Sequence, residues 1–187
     1  MSNQNLFSAL RAAFPSDLDS TAVETTAADG TPLYYTWRDL DRASARIATV
    51  LASIKLPVGS RVPVQVETSV APMALPPASL RAGYVFLPLN TAYQSAEIEY
   101  FIGNAEPAVV VCSPGNFGWV SKIAFTLGTQ HVFTLGDDRT GSLLERAAHH
   151  GDEHQAVARS ADDLAAILYT SGTTGRSKGA MLTHGNM

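Results

Sequence analysis

The residues with the clearest chemical potential lie near the end of the chain, in a segment of glycines, hydroxyl side chains and one lysine. Glycine lets the backbone adopt positive φ and approach a ligand, and successive N–H groups in such a loop form a concavity that binds anions. Lys178 adds a mobile positive charge. This combination predicts a polyphosphate-binding loop. Its members are Thr170, Ser171, Gly172, Thr173, Thr174, Gly175, Ser177, Lys178 and Gly179.

The spacing differs from that of the common phosphate-binding loops. The G-x-x-x-x-G-K-[ST] pattern would require glycine where this chain has Ser177, and the G-x-G-x-x-G pattern is also absent from the segment. The alternative is a flexible linker rich in Ser, Thr and Gly. A linker is disfavoured because the segment directly follows an apolar run, residues 164–168, and carries a lysine near its end.

Short apolar runs alternate with helical patterns along most of the chain, which predicts an α/β fold, layered and with largely parallel strands. The apolar run before the loop predicts a buried strand, so the loop falls at a carboxyl strand end, where open α/β sheets bind ligands. A β-hairpin is predicted around Asp29-Gly30, and Thr36 with Asp39 is expected to cap the next helix. Further strands are predicted at 62–66, 84–89, 107–112, 131–135 and 164–169, with helices at 6–14, 37–54, 95–104, 117–127 and 143–148.

Three features of this pattern carry specific expectations. Ser95 is expected to cap its helix, and Gly103-Asn104 to end it. Residues 145–163 are polar and predict an exposed connection.

A helix is expected across residues 67–83, yet Pro72, Pro76 and Pro77 fall within it. Each interior proline costs about 3 kcal/mol, against a total stability of about 5–15 kcal/mol. Either the helix breaks near Leu75 or the sequence has drifted from one that folded well.

Composition restricts the class of protein. The chain has 187 residues, enough for one domain with a sizeable core, and its net charge of −4 does not favour nucleic-acid binding. No secretory signal and no apolar run of membrane-spanning length is visible. The single cysteine, Cys112, fits a reducing compartment and a buried apolar position. We therefore expect a soluble cytoplasmic protein that binds neither nucleic acid nor membranes.

Three histidines in the polar connection, His149, His150 and His154, raise the possibility of a metal site. Their spacing fits no standard zinc framework, and no cysteine lies nearby. A solvated helix end explains them better. We predict no metal ligand in this chain.

Residues 169–179 resemble the signature loop of the adenylate-forming superfamily, which includes acyl-CoA synthetases, adenylation domains of peptide synthetases and luciferases. Ser177 departs from the family, which most often has proline there. Residues 80–90 resemble a second block of the superfamily, a Lys/Arg-Ala-Gly helix end followed by a strand and a Pro-Leu-Asp/Asn turn. Residues 91–107 are most similar to malonyl-CoA synthetases, which join short dicarboxylic acids to coenzyme A.

The resemblance implies a reaction in two halves. A carboxylate attacks the α-phosphate of ATP to give an acyl-adenylate and pyrophosphate, and the thiol of coenzyme A then displaces AMP. The implied small-molecule partners are a carboxylic acid, ATP and coenzyme A, with Mg²⁺ held mainly by residues outside this chain. No loop group needs to transfer a proton, so we expect no catalytic residue here. The implied ATP phosphate-binding residues are Thr170, Ser171, Gly172, Thr173, Thr174, Gly175 and Lys178.

A third block, residues 181–186, matches the Thr-His-x-Asn segment of the family, in which Thr183 would cap a helix. This segment approaches the acyl pocket in the family, so His184 is a candidate on the substrate side. The alternative is a histidine that only packs at the start of the helix.

The resemblance covers nearly the whole chain but only the first part of the family's length. Residues 1–187 are therefore expected to be the N-terminal portion of an AMP-binding domain, cut after the phosphate-binding loop and without the C-terminal domain. The expected parent is an ATP-dependent acyl-CoA ligase that takes malonate, a malonyl-CoA synthetase. The alternatives are a fragment of another adenylate-forming enzyme, either a fatty acyl-CoA ligase or an amino-acid adenylation domain, or an inactive truncated product.

Overall fold

The computed structural model describes residues 3–27, 29–170 and 177–187. A helix and a two-stranded antiparallel sheet precede a larger six-stranded sheet with the strand order β6-β5-β3-β4-β7-β8. The helices are α1 (Leu6–Ala12), α2 (Trp37–Ser53), α3 (Leu75–Arg81), α4 (Ser95–Ala105), α5 (Phe117–Thr126) and α6 (Ser142–Ala147). The strands are β1 (Thr21–Thr26), β2 (Pro32–Thr36), β3 (Arg61–Gln65), β4 (Val85–Pro88), β5 (Val109–Cys112), β6 (His131–Thr134), β7 (Leu164–Thr170) and β8 (Lys178–Thr183).

The large sheet confirms the predicted α/β class with mostly parallel strands. The five strands from β3 to β7 pair in parallel, and only β8 runs antiparallel, beside β7. The order of β3, β4 and β5 follows from their crossovers: β4 lies on one side of β3 and β5 on the other. All five parallel strands therefore present their carboxyl ends at one edge of the sheet, which is the edge the loop after β7 joins.

Each face of the sheet buries its own apolar core. Val109 and Val111 of β5 pack towards α2, α3 and α6, whereas Val110 and Cys112 of the same strand pack towards α4 and α5. This alternation follows from the two-residue period of a strand and explains why β5 is apolar throughout. Burial raises the pKa of the Cys112 thiol to about 12, so Cys112 is an apolar core residue, as predicted.

The prolines expected to disrupt a helix at 67–83 lie where they cost no helical hydrogen bond. The segment is broken near Leu75: a 3₁₀ turn over Pro72–Ala74 leads into α3, with Pro76 and Pro77 in the first turn of that helix. The first N–H groups of a helix have no intrahelical partner, so proline removes nothing there. Of the two alternatives drawn from the sequence, a helix that breaks near Leu75 is therefore the correct one.

The hairpin and the cap of α2 form as predicted. β1 pairs with β2 in antiparallel register, and the Thr36 hydroxyl accepts from the Asp39 N–H at 3.1 Å while the Asp39 carboxylate accepts from the Thr36 N–H at 2.9 Å. This reciprocal pair satisfies two donors that the start of the helix would otherwise leave free.

Two local predictions are wrong, both at the ends of α4, and a third concerns Thr183. Gln94, not Ser95, caps α4, with its N–H donating to the Glu97 carboxylate at 2.8 Å. The helix continues past Gly103-Asn104 because one further residue buries Ala105 in the core, and it ends at Glu106 with φ 45°. Thr183 ends β8, and its N–H donates to Asn186 Oδ1 at 2.8 Å, the contact that a capping residue makes with the side chain three positions later. The helix expected to follow Thr183 stays a prediction.

The connection over residues 145–163, which was predicted to be exposed, is in part attached by hydrogen bonds to the rest of the domain. The buried Asn5 side chain donates to the carbonyls of Leu80 and Val157, at 2.7 and 2.8 Å, and the Val157 N–H donates to Arg81 O at 2.9 Å. Backbone pairing of this kind leaves no periodic pattern in the sequence, which is why it could not be predicted. In the part of the chain that the structure describes, no helix has the length and apolar character needed to cross a bilayer.

Candidate phosphate-binding site

The predicted phosphate loop joins the last two strands of the large sheet. β7 ends at Thr170 and β8 begins at Lys178, and these two residues lie opposite each other in antiparallel register. The loop therefore leaves and re-enters the sheet at the carboxyl edge of the parallel strands, where ligands of open α/β sheets bind. Of the predicted site residues, Ser171, Gly172, Thr173, Thr174 and Gly175 lie outside the described residues.

The two described members, Thr170 and Lys178, are brought together by the hairpin. The Thr170 hydroxyl donates to Lys178 O across the hairpin at 3.4 Å, and both residues are exposed. Lys178 forms no ion pair with a carboxylate among residues 3–27, 29–170 and 177–187. Its ammonium group can therefore reach an anion held at the sheet edge.

Gly179 is a glycine because a side chain would not fit under Tyr169. A Cβ at this position would lie 2.9 Å from Ile167 Cγ2 and 3.4 Å from Tyr169 Cε1. Both neighbours are on β7, and Tyr169 is the residue directly opposite. The absence of a side chain at Gly179 therefore leaves room for the aromatic ring of Tyr169 over β8.

Two tyrosines connect the stems of the loop to α4, and sequence reasoning missed this. The Tyr169 hydroxyl donates to Asn104 Oδ1 at 2.6 Å, and the Tyr100 hydroxyl donates to Ser177 O at 2.9 Å. Burial, followed by the neighbouring Tyr100, raises the pKa of Tyr169, so its hydroxyl remains a donor at neutral pH. The only sequence feature that could have indicated this contact was Tyr100, a tyrosine beside the apolar stripe of a predicted helix.

Gln65 closes the sheet edge beside the loop and was also missed. It is buried at the end of β3, where its amide Nε2 donates to Asn90 O at 3.2 Å and Tyr93 O at 3.1 Å, and its Oε1 accepts from Asn116 Nδ2 at 3.5 Å. The partners follow β4 and β5, so one side chain joins the carboxyl ends of three strands. A glutamine within the apolar run 62–66 was the available sequence clue.

His184 lies at the opposite end of the hairpin from the loop. It follows Thr183, which pairs with Leu164, the first residue of β7. His184 is 6% exposed, and its Nδ1 accepts from the Leu6 N–H at 3.0 Å, which attaches α1 to the end of β8. This position agrees with the packing role considered for His184 and does not bring it near Thr170 or Lys178.

Stability should fall in mild acid because of His184. Burial, and next the charge of Arg159, lower the pKa of His184 below its ordinary value of 6.5, although Asp163 opposes this. The folded state therefore prefers the neutral ring, and its contribution to stability is complete above pH 6.5 and is lost as the pH falls from there towards the folded pKa. We expect the free energy of unfolding, measured by urea titration at several pH values, to decrease in this window.

The variant His184→Asn separates this effect from others, since an asparagine side chain can accept from Leu6 but does not titrate. We expect its unfolding free energy to vary less with pH below 6.5. Some slope should remain from His154, whose pKa is lowered by burial and then by Arg81. An unchanged slope in His184→Asn would assign the acid sensitivity to other groups.

The histidine-rich connection has no metal-like geometry in the described structure. His154 Nδ1 lies 3.3 Å from the Thr49 hydroxyl, and the carbonyl of His154 accepts from Arg81. Within the described residues, no group of three or more His, Cys, Asp or Glu side chains could hold a metal ion.

Comparison with known proteins places the chain in one enzyme family. The model of a family described as AMP-binding enzyme matches residues 14–187. Feruloyl-CoA synthase from an Amycolatopsis species is 32% identical over 156 residues, and tyrocidine synthase 3 from Brevibacillus parabrevis is 30% identical over 152; the matches cover 81% and 80% of this chain but 29% and 2% of those proteins.

Among solved structures, ATP-bound MatB from Rhodopseudomonas palustris superposes with a TM-score of 0.88 at 47% identity. The match covers 98% of this chain and 35% of MatB. The chain thus spans about a third or less of the length of these relatives.

Proposed function

The chain belongs to the AMP-binding enzyme family, and we propose that it forms the N-terminal portion of the adenylation domain of an ATP-dependent acyl-CoA ligase. In this proposal the segment from Thr170 to Lys178 binds the β- and γ-phosphates of ATP. The observation that supports it most is the position of Thr170 and Lys178, side by side at the carboxyl edge of a parallel sheet. The ATP-bound state of MatB, the structural relative at 47% identity, supports the choice of nucleotide.

The chemistry that these residues would supply is electrostatic. As the acid's carboxylate oxygen attacks the α-phosphorus, the bond to the bridging oxygen breaks and negative charge accumulates on the departing pyrophosphate. Backbone N–H groups, hydroxyls and Lys178 would stabilise that charge, and none needs to gain or lose a proton. The thiol of coenzyme A then displaces AMP from the acyl carbon. The described residues offer no acidic cluster for Mg²⁺, so we assign the ion no ligand among them.

Malonate is the acid we propose, and the cytoplasm the location. Identity to MatB is 46–47%, against 24% to the long-chain fatty acid CoA ligase of Archaeoglobus fulgidus, and residues 91–107 resemble malonyl-CoA synthetases. The second candidate is an amino-acid adenylation domain, favoured by the 30% identity to tyrocidine synthase 3. The difference in identity favours the acyl-CoA ligase.

A chimera provides the test. Residues 1–187 would replace the matching segment of MatB, and thioester formation would be measured with malonate, ATP, Mg²⁺ and coenzyme A. We expect turnover with malonate that disappears when ATP is omitted, and MatB itself is the positive control. A folded chimera that forms neither the adenylate nor the thioester would contradict the proposal. Adenylate formation with amino acids instead of malonate would favour the second candidate.

A further inference from the structure

We propose that α4 is the support that fixes the two stems of the phosphate-binding loop, residues 169–170 and 177–178, and that Tyr100 is a positioning residue for the stem that precedes Lys178. The inference rests on the proposed function of the loop and adds a role for residues outside it. Tyr100 lies 77 residues before the carbonyl that it binds, Ser177 O. No block of the sequence with a proposed phosphate-binding role includes it.

Both stems of the loop are attached to one face of α4. Tyr100 and Asn104 are four residues apart, so they lie one above the other on the same side of the helix. Tyr100 donates to Ser177 on the returning stem at 2.9 Å, and Asn104 accepts from Tyr169 on the outgoing stem at 2.6 Å. One rigid element therefore sets the positions of both ends of the loop.

Aromatic packing reinforces the two hydrogen bonds. The Tyr169 ring lies with its centroid 4.4 Å from that of Phe101 and 6.4 Å from that of Tyr100, the second in an edge-on arrangement. The helix itself is held in the core by Ile98 and Ile102, each 1% exposed. Movement of the stems relative to α4 would have to break these contacts together.

This attachment matters for the chemistry because Lys178 directly follows Ser177. The hydrogen bond from Tyr100 fixes the peptide group that precedes Lys178 and so limits where its side chain and N–H can point. Donors that are positioned before the ligand arrives lose less conformational freedom on binding and need not rearrange as charge develops.

The test removes only the hydroxyl, with Tyr100→Phe, in the 187-residue chain. Two quantities are measured: the rate of trypsin cleavage after Lys178, followed by mass spectrometry, and the affinity for inorganic tripolyphosphate, followed by calorimetry. Cleavage in β8 requires the stem to open, so its rate reports the attachment directly. We expect cleavage to become about threefold to tenfold faster and the affinity to fall by a similar factor, the range for loss of one hydrogen bond.

Tyr34→Phe is the matched control, because it removes the same atom from a residue that is 59% exposed on β2. It should change neither quantity. Asn104→Ala is the second variant and should speed cleavage in the same direction. Unchanged cleavage in both Tyr100→Phe and Asn104→Ala would overturn the proposal. If the unmodified chain does not bind tripolyphosphate, the proposed function is contradicted, whereas the cleavage rates still decide whether α4 fixes the loop.

Discussion

Replacing Arg81 with alanine should lower the free energy of unfolding by about 2 kcal/mol, because its ion pair is half-buried and lies between exposed pairs, which contribute about 0–1 kcal/mol, and fully buried pairs, which cost about 3–5 kcal/mol to break. The Arg81 side chain is 11% exposed and joins four parts of the chain. Its Nη1 donates to Asp41 Oδ1 at 2.7 Å and to the Ser44 hydroxyl at 3.2 Å, and its Nε donates to the carbonyl of His154. Its guanidinium carbon also lies 4.6 Å from the centre of the Phe7 ring.

The loss of stability should stay below that of a fully buried pair also because Asp41 keeps a second partner, Arg11, at 2.8 Å. Against a total stability of about 5–15 kcal/mol, such a change removes a large fraction of the stability of a marginal domain. Urea titration followed by circular dichroism measures it. Lysine should not restore the stability, since it lacks the planar set of donors that reaches several acceptors at once.

Arg38→Ala is the matched control. Arg38 also pairs with a carboxylate, Asp19, at 2.7 Å, but the two side chains are 41% and 69% exposed. Exposed pairs of this kind contribute about 0–1 kcal/mol. Equal losses of unfolding free energy in the two variants would show that the partial burial of Arg81 has no special effect on stability.

Replacing Lys178 with alanine should weaken the affinity of the chain for tripolyphosphate about tenfold to a hundredfold. A hydrogen bond to a charged group contributes about 1.5–3 kcal/mol, and each 1.4 kcal/mol changes a dissociation constant tenfold. Lys178 is exposed beside Thr170, so its removal should leave folding intact. Calorimetric titration of the folded variant, at low ionic strength where screening is weakest, gives the affinity directly.

Lys122→Ala controls for net charge, because Lys122 is an exposed lysine on α5. It should leave the affinity nearly unchanged, and Lys178→Arg should keep most of it. If Lys122→Ala and Lys178→Ala weaken binding equally, the anion is attracted by overall charge and not bound at the loop.

Much of the fold could be predicted because its causes are local. The apolar run 107–112, the Asp29-Gly30 turn and the capping pair of Thr36 and Asp39 each act over a few neighbouring residues. The effect of the prolines was harder to predict, since the free energy that a proline costs depends on where the helix starts. Pro76 and Pro77 are harmless only because α3 begins at Leu75. The strand β8 was missed because its first four residues are exposed and lack the apolar alternation that identifies a strand.

The candidate site divides in the same way. The sequence alone predicted the loop's chemistry, since glycines, hydroxyls and Lys178 are close together in the chain, and it determined the family to which the chain belongs. The tertiary structure decided which residues contact the stems of the loop, and which predicted site residue lies far from it. Tyr100 reaches Ser177 across 77 residues, and His184 meets Leu6 across 178. Such contacts depend on the packing of helices and strands against each other, which leaves no local pattern to read.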